Sequence, residues 1–200
     1  MSKSMTTQLS ENVMEEQQEA SYLDRRGFLR LAAFALGGLA VSPGLARAMT
    51  FKERQLNFYA PSTGETVRAV YWAPRQGYVR DSLREISWAL RDHHNDQFKL
   101  FDTHLLDQLY AIQLAMDYKG PFHIICGYRS PSTNAMLRKR SSQVAKNSYH
   151  MRAMAADIRM PGRSTADLRR AALSLQAGGV GYYPRSNFIH VDTGPLRTWS

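Results

Sequence analysis

From Arg54 the chain alternates, with Leu56, Phe58 and Ala60 set against Gln55, Asn57 and Tyr59; it turns at Pro61-Ser62-Thr63-Gly64 and alternates again from Thr66 to Trp72. A period of two on both sides of a turn predicts a β-hairpin, and whatever follows has to cover one of its faces. The next two apolar patterns change period. Val79, Leu83, Ile86 and Leu90, then Leu105, Leu109, Ile112 and Met116, recur at helical spacing. Phe122 to Cys126 reads as a short buried strand stopped by Gly127, and Ser132 as the N-cap of a basic helix running to about Ser141. A third strand is predicted at Ala156 to Met160. Ser164 caps a helix through Leu168, Ala171, Ala172 and Leu175, which Gly178-Gly179 ends. Val180 to Tyr183 and Phe188 to Asp192 form a closing hairpin around Pro184-Arg185-Ser186-Asn187. The pattern predicts an α+β single domain with a mainly antiparallel sheet flanked by helices.

Nothing in the composition opposes a packed core. With 44% hydrophobic and 22% charged residues, the chain is neither disordered nor a polytopic membrane protein. The lone cysteine, Cys126, cannot form an intrachain disulfide and reads as a small buried hydrophobe rather than a nucleophile. A domain of roughly 150 residues buries about 70% of its unfolded surface and needs no covalent staples.

Residues 1–48 read as an address. Asp24-Arg25-Arg26-Gly27-Phe28-Leu29-Arg30 precedes an uncharged stretch from Leu31 to Ala46, and Ala46-Arg47-Ala48 places small residues at a cleavage site. The paired arginines resemble the twin-arginine export signal of bacteria, with cleavage expected after Ala48 and a functional domain at 49–200 working in the periplasm. A stretch shorter than about 20 residues, interrupted by Gly37-Gly38 and Ser42-Pro43, argues against a spanning anchor and for no stable membrane insertion after cleavage.

Of six histidines, two stand where chemistry is expected. His93, His94 and His104 lie among charged neighbours and read as exposed polar residues, and His123 as an ordinary sheet residue. His150 sits in Asn147-Ser148-Tyr149-His150-Met151-Arg152-Ala153, which has no apolar periodicity to bury it, and Asp157 follows at the entry to a strand. In the last strand a period of two puts Ile189 and Val191 on one face, and Phe188, His190 and Asp192 on the other. If the strands of Asp157 and His190 are neighbours, His150, Asp157 and His190 converge. Two imidazoles and a carboxylate are a ligand set that leaves a fourth position of a catalytic zinc open to water. By spacing alone, a network of ordinary polar residues is the better account of these three.

Ser148-Tyr149-His150 through Asp157, with Phe188-Ile189-His190-Val191-Asp192, resembles the Ser-x-His-x6-Asp and closing His motifs of the LAS-type zinc metallopeptidases, the superfamily of D-Ala-D-Ala peptidases. Leu105 to Tyr110, Gly127-Tyr128-Arg129-Ser130 and Ala171 to Gly194 resemble, more closely, the YcbK/MepK-type murein endopeptidases. The resemblance spans nearly all of 49–200. It implies the LAS/hedgehog-type peptidase fold, one Zn2+ per chain held by His150, Asp157 and His190, and hydrolysis of peptidoglycan peptide cross-links between two meso-diaminopimelates or between D-Ala and meso-diaminopimelate. It also implies that Arg129 steadies the oxyanion and that Tyr128, Arg129 and Ser148 meet substrate.

Two positions depart from the superfamily's pattern. Ala153 stands where glycine is usual, and Asn187 stands where many members carry an acidic general base. Asp192 is the carboxylate left to serve as base or, alternatively, to orient a ligand. The missing acid keeps a non-catalytic peptidoglycan-binding module as an alternative, and a D,D- or L,D-carboxypeptidase is a third reading. The formal charge of +9 arises wholly after residue 48, because the earlier residues carry five basic and five acidic groups. Such a domain is drawn to an anionic mesh of stem-peptide carboxylates, and Arg138, Lys139, Arg140 and Lys146 form one cluster of that charge. Export makes nucleic acid an improbable partner.

Overall fold

The computed structural model describes residues 52–142 and 144–200; the N-terminal address lies outside the described residues. Among the described residues, eight strands and four helices follow in the order β1 (Arg54–Ala60), β2 (Glu65–Ala73), β3 (Gly77–Tyr78), α1 (Arg80–Ala89), α2 (Thr103–Ala115), β4 (Phe122–Cys126), α3 (Pro131–Arg140), β5 (Ala155–Arg159), α4 (Thr165–Ser174), β6 (Gly179–Tyr183), β7 (Phe188–Asp192) and β8 (Arg197–Trp199). Single 3₁₀ turns occupy Tyr149–Arg152 and Pro184–Ser186. The strands form one mixed sheet in the order β3-β2-β1-β4-β5-β7-β6-β8. Only β1 with β4 and β6 with β8 run parallel; the remaining pairs are antiparallel, as the sequence predicts. Among the described residues, no helix is long and apolar enough to cross a membrane.

Alternation in β1 becomes alternation in burial: Leu56, Phe58 and Ala60 are buried and the residues between them half-buried. Against that face packs α2, whose Leu105, Leu106, Leu109 and Ile112 are all fully buried and join Phe122, Ile158, Ile189 and Val191 in one core. Asp102 caps α2 by accepting from the His104 amide at 3.0 Å, and Ser164 caps α4 by accepting from the Asp167 amide at 3.0 Å.

The start of α3 differs from the expectation at Ser132. The cap is Ser130, whose hydroxyl accepts from the Thr133 amide at 3.2 Å, and Pro131 takes the first helical position. Proline's fixed φ suits that position and costs no hydrogen bond there, so it moves the helix start two residues back. Asp92 accepts from the Ser130 amide at 2.8 Å and so ties this helix start, with Tyr128 and Arg129 just before it, to the end of α1.

Candidate metal centre

The central strands assemble the chemistry. β5 pairs antiparallel with β7, and Asp157 lies directly opposite His190, so the two side chains share a face and a level of the sheet. His150 comes from the 3₁₀ turn before β5. Ser148 starts that turn by accepting from the His150 amide at 3.3 Å, and Ala153 ends it in the left-handed region, with φ 55°. The Ala153 carbonyl accepts from the Asp102 amide and the His150 carbonyl from the Arg129 amide, which fix the loop to the body of the fold.

Three atoms then meet. His150 Nε2 lies 3.1 Å from His190 Nδ1 and 3.3 Å from Asp157 Oδ1, and His190 Nδ1 lies 2.9 Å from Asp157 Oδ1. All three residues are buried. The outer nitrogens settle the tautomers. His150 Nδ1 lies 2.8 Å from the Gly127 carbonyl, which can only accept, and His190 Nε2 lies 2.8 Å from Asp192 Oδ2. Each ring therefore carries its hydrogen on the outer nitrogen and turns a lone pair inward beside a carboxylate oxygen. Three converging acceptors with no donor among them demand a cation or a proton. Burial would depress His150, but the negative charges of Cys126 and Asp157 hold it well above the ordinary imidazole range. Burial would raise the Asp157 carboxyl; His150 and His190 outweigh it and hold the group well below the usual carboxylate range. The donor set thus fits a bound divalent metal.

Cys126 joins this group, contrary to its expected role as a core hydrophobe. Its Sγ is one of three potential ligand atoms, with His150 and Asp157, lying within 4.8 Å of one another, and the residue is half-buried. A register shift between Ile124 and Cys126 breaks the alternation of β4 and brings Cys126 opposite Asp157. Periodicity cannot reveal a bulge; the strand-ending Gly127 was the only hint in the sequence.

A cleft of about 630 Å³ opens over the cluster, walled by Tyr149, Tyr183, Phe188 and Trp199 and edged by Arg129 and Arg197. Arg129 reaches Asn134 Oδ1 and Cys126 Sγ, each at 3.3 Å, so its guanidinium is held beside the cluster. Ser148 lines the cleft as well as capping the turn. Tyr128 does not line it: this residue packs, half-buried, against the hydrophobic core. Of the residues expected to meet substrate, Arg129 and Ser148 line the cleft and Tyr128 packs against the core.

Asp192 does not fit the role of general base. Its side chain is 0% exposed and lies behind the His190 ring, where it accepts from His190 Nε2, from the Gly179 and Gly194 amides and from Arg197. Burial would raise this carboxyl, but those hydrogen bonds together hold it well below the usual range. Its contact with the cluster is the hydrogen bond from His190 Nε2. Asn187 also turns elsewhere: it ends the Pro184–Ser186 turn at φ 52° and accepts from Thr165 at the start of α4. Among the described residues, Asp157 is the one carboxylate lining the cleft.

The mixed sheet with its flanking helices is consistent with the LAS-type peptidase fold. The family described as Peptidoglycan L,D-endopeptidase MepK matches residues 48–199, and the chain belongs to that family. The chain is 42% identical to the Peptidoglycan L,D-endopeptidase MepK of Escherichia coli (strain K12) over 177 residues, 88% of this chain and 97% of that protein. It is 41% identical to the Probable peptidoglycan L,D-endopeptidase MepK of Haemophilus influenzae over 184 residues, 90% of this chain and 98% of that one.

Proposed function

We propose that this peptidase is a zinc-dependent murein endopeptidase of the periplasm that opens peptide cross-links of peptidoglycan, with His150, Asp157 and His190 as the metal ligands. The observation that carries the reading is the convergence of His150 Nε2, His190 Nδ1 and Asp157 Oδ1 within 3.3 Å of one another. Zinc suits the set: bonds of about 2.0–2.1 Å in a tetrahedron put ligand atoms about 3.3 Å apart, and the three separations lie close to that. Relatives named for endopeptidase action on peptidoglycan support the substrate class. Residues 1–48, read as a twin-arginine signal, support export to the compartment where that substrate lies.

When bound, zinc polarises an amide carbonyl and acidifies a water at neutral pH. The chain's own residues do the rest. Asp192 keeps the hydrogen on His190 Nε2, and the Gly127 carbonyl keeps one on His150 Nδ1, so both inner nitrogens stay free to coordinate. Arg129 stands at the cleft edge as the donor for the carbonyl oxygen while charge develops on it. The aromatic wall excludes water around the stem peptide, and the exposed Arg138, Lys139, Arg140 and Lys146 lie beyond it as a cationic approach for an anionic mesh. Neither Asn187 nor Asp192 is placed to take a proton from water in the cleft.

The test is chromatographic. Purified protein incubated with cross-linked muropeptides, one set joined meso-diaminopimelate to meso-diaminopimelate and another D-Ala to meso-diaminopimelate, should convert dimers to monomers. A chelator and His150→Ala should each abolish the conversion. Released single amino acids would indicate a carboxypeptidase, and dimers left intact at full zinc occupancy would overturn the reading.

A further inference from the structure

We propose that Arg197 is a positioning residue for the metal centre: through Asp192 it fixes the His190 ring, and by stacking on Tyr149 it ties that ring to the segment bearing His150. The inference rests on the metal reading above.

Asp192 is wholly buried and accepts from His190 Nε2, so the plane of its carboxylate sets where His190 Nδ1 points. Arg197 sets that plane. Its guanidinium meets the carboxylate fork to fork, Nη2 to Oδ2 at 2.5 Å and Nη1 to Oδ1 at 3.0 Å. A planar bidentate pair fixes orientation as well as separation, which a single point charge does not. The same guanidinium carbon lies 5.1 Å from the centre of the Tyr149 ring and 5.0 Å from that of Trp199. Tyr149 immediately precedes His150. One side chain on the last strand therefore touches both imidazole-bearing segments, which lie forty residues apart in sequence.

Two glycines make room for it. A Cβ on Gly179 would come within 2.6 Å of Arg197 Nη1 and 2.7 Å of Asp192 Oδ2, and one on Gly194 within 2.5 Å of the Tyr149 ring. The sheet leaves open the space that the guanidinium and its stacking partner fill.

Zinc affinity, measured by competition with a chromophoric chelator, and melting of the metal-free protein are to be compared across the parent, Arg197→Gln, Arg197→Lys, Asp192→Asn, Gly179→Ala and the double variant Arg197→Gln/Asp192→Asn. Loss of a partner that orients a ligand costs 10–100-fold in affinity. Asp192→Asn should fall in that range, Arg197→Gln at about tenfold, and Arg197→Lys between Gln and the parent. Gly179→Ala, which removes no charge, should weaken zinc in the same direction. Because Arg197 acts through Asp192, adding Arg197→Gln to Asp192→Asn should weaken zinc by less than about twofold more. A purely structural role would instead lower melting temperature with unchanged affinity. The inference is overturned by an Arg197→Gln protein that binds zinc as tightly as the parent, by additive losses in the double variant, or by a raised KM alone, which would make Arg197 a substrate contact. A parent protein that binds no zinc overturns the metal reading itself, and this inference with it.

Discussion

Two buried carboxylates of this fold, one on a helix and one on a strand, have opposite surroundings. Asp107, on α2, accepts from Arg54 Nη1 at 2.7 Å and from the Tyr71 and Tyr78 hydroxyls at 2.8 Å each. Burial and the Asp107 charge push both phenols up, so they remain donors across the physiological range. That carboxylate is surrounded by groups that give hydrogens, and the cluster is complete as it stands. Asp157 faces two imidazoles whose hydrogens are already committed to Gly127 and Asp192. It is surrounded by lone pairs. A polar cluster rich in donors for its acceptors is structural; one with acceptors alone is a receptor for a cation.

Breaking each cluster should therefore fail in a different way. Asp157→Asn should lower cross-link hydrolysis by about a thousandfold or more, since several kcal/mol of transition-state stabilisation go with the metal. Metal-free Asp157→Asn should lose less stability than metal-free Asp107→Ala, because a buried imidazole deprived of its counter-charge can shed its proton and a guanidinium cannot. Asp107→Ala should do the reverse. Deleting the partner of a buried guanidinium costs about 3–5 kcal/mol, read from urea unfolding, while the fraction that stays folded should keep its zinc stoichiometry. Equal stability losses in the two variants would erase the distinction.

Asp92 is another buried carboxylate of the donor-rich kind. Burial would raise it, but hydrogen bonds from Thr133, Ser130 and His94 lower it to about 2. A depressed folded-state pKa stabilises the native state above the ordinary carboxylate value, and that contribution is lost as pH falls from about 4 through 2. The loss should be on the order of 2 kcal/mol, and Asp92→Asn should flatten that limb of the stability curve against pH. An unchanged limb in the variant would show that other groups govern acid unfolding.

Smaller effects sharpen the site. Cys126→Ser should leave zinc affinity and hydrolysis within about threefold, because the three closer atoms already supply a catalytic ligand set; a large loss would make the sulfur a ligand. Ala153→Gly should change stability by less than about 1 kcal/mol. Relief of a left-handed alanine, about 1–2 kcal/mol, is offset by a lost buried methyl, about 0.8 kcal/mol, and by the freer unfolded chain.

Local pattern by itself determined most of the elements here. The β1–β2 hairpin, α1, α2, β4, β5, α4 and the closing hairpin follow from period and punctuation, because those signals sit within a few residues of what they specify. His150 stands out because its segment has no apolar periodicity to bury it, Asp157 and His190 by the strand faces that a period of two gives them, and the family resemblance joins the three. Tertiary structure decided the rest. That β5 and β7 are neighbours, with Asp157 opposite His190, depends on pairing between strands separated by a helix and another strand. The bulge that turns Cys126 toward the cluster, the place of Asp192 behind a ring rather than in the cleft, and the short β8 that delivers Arg197 all arise from contacts between distant segments. Sequence periodicity records which face a residue takes; which atom of that residue points at which neighbour is settled only when the faces are packed together.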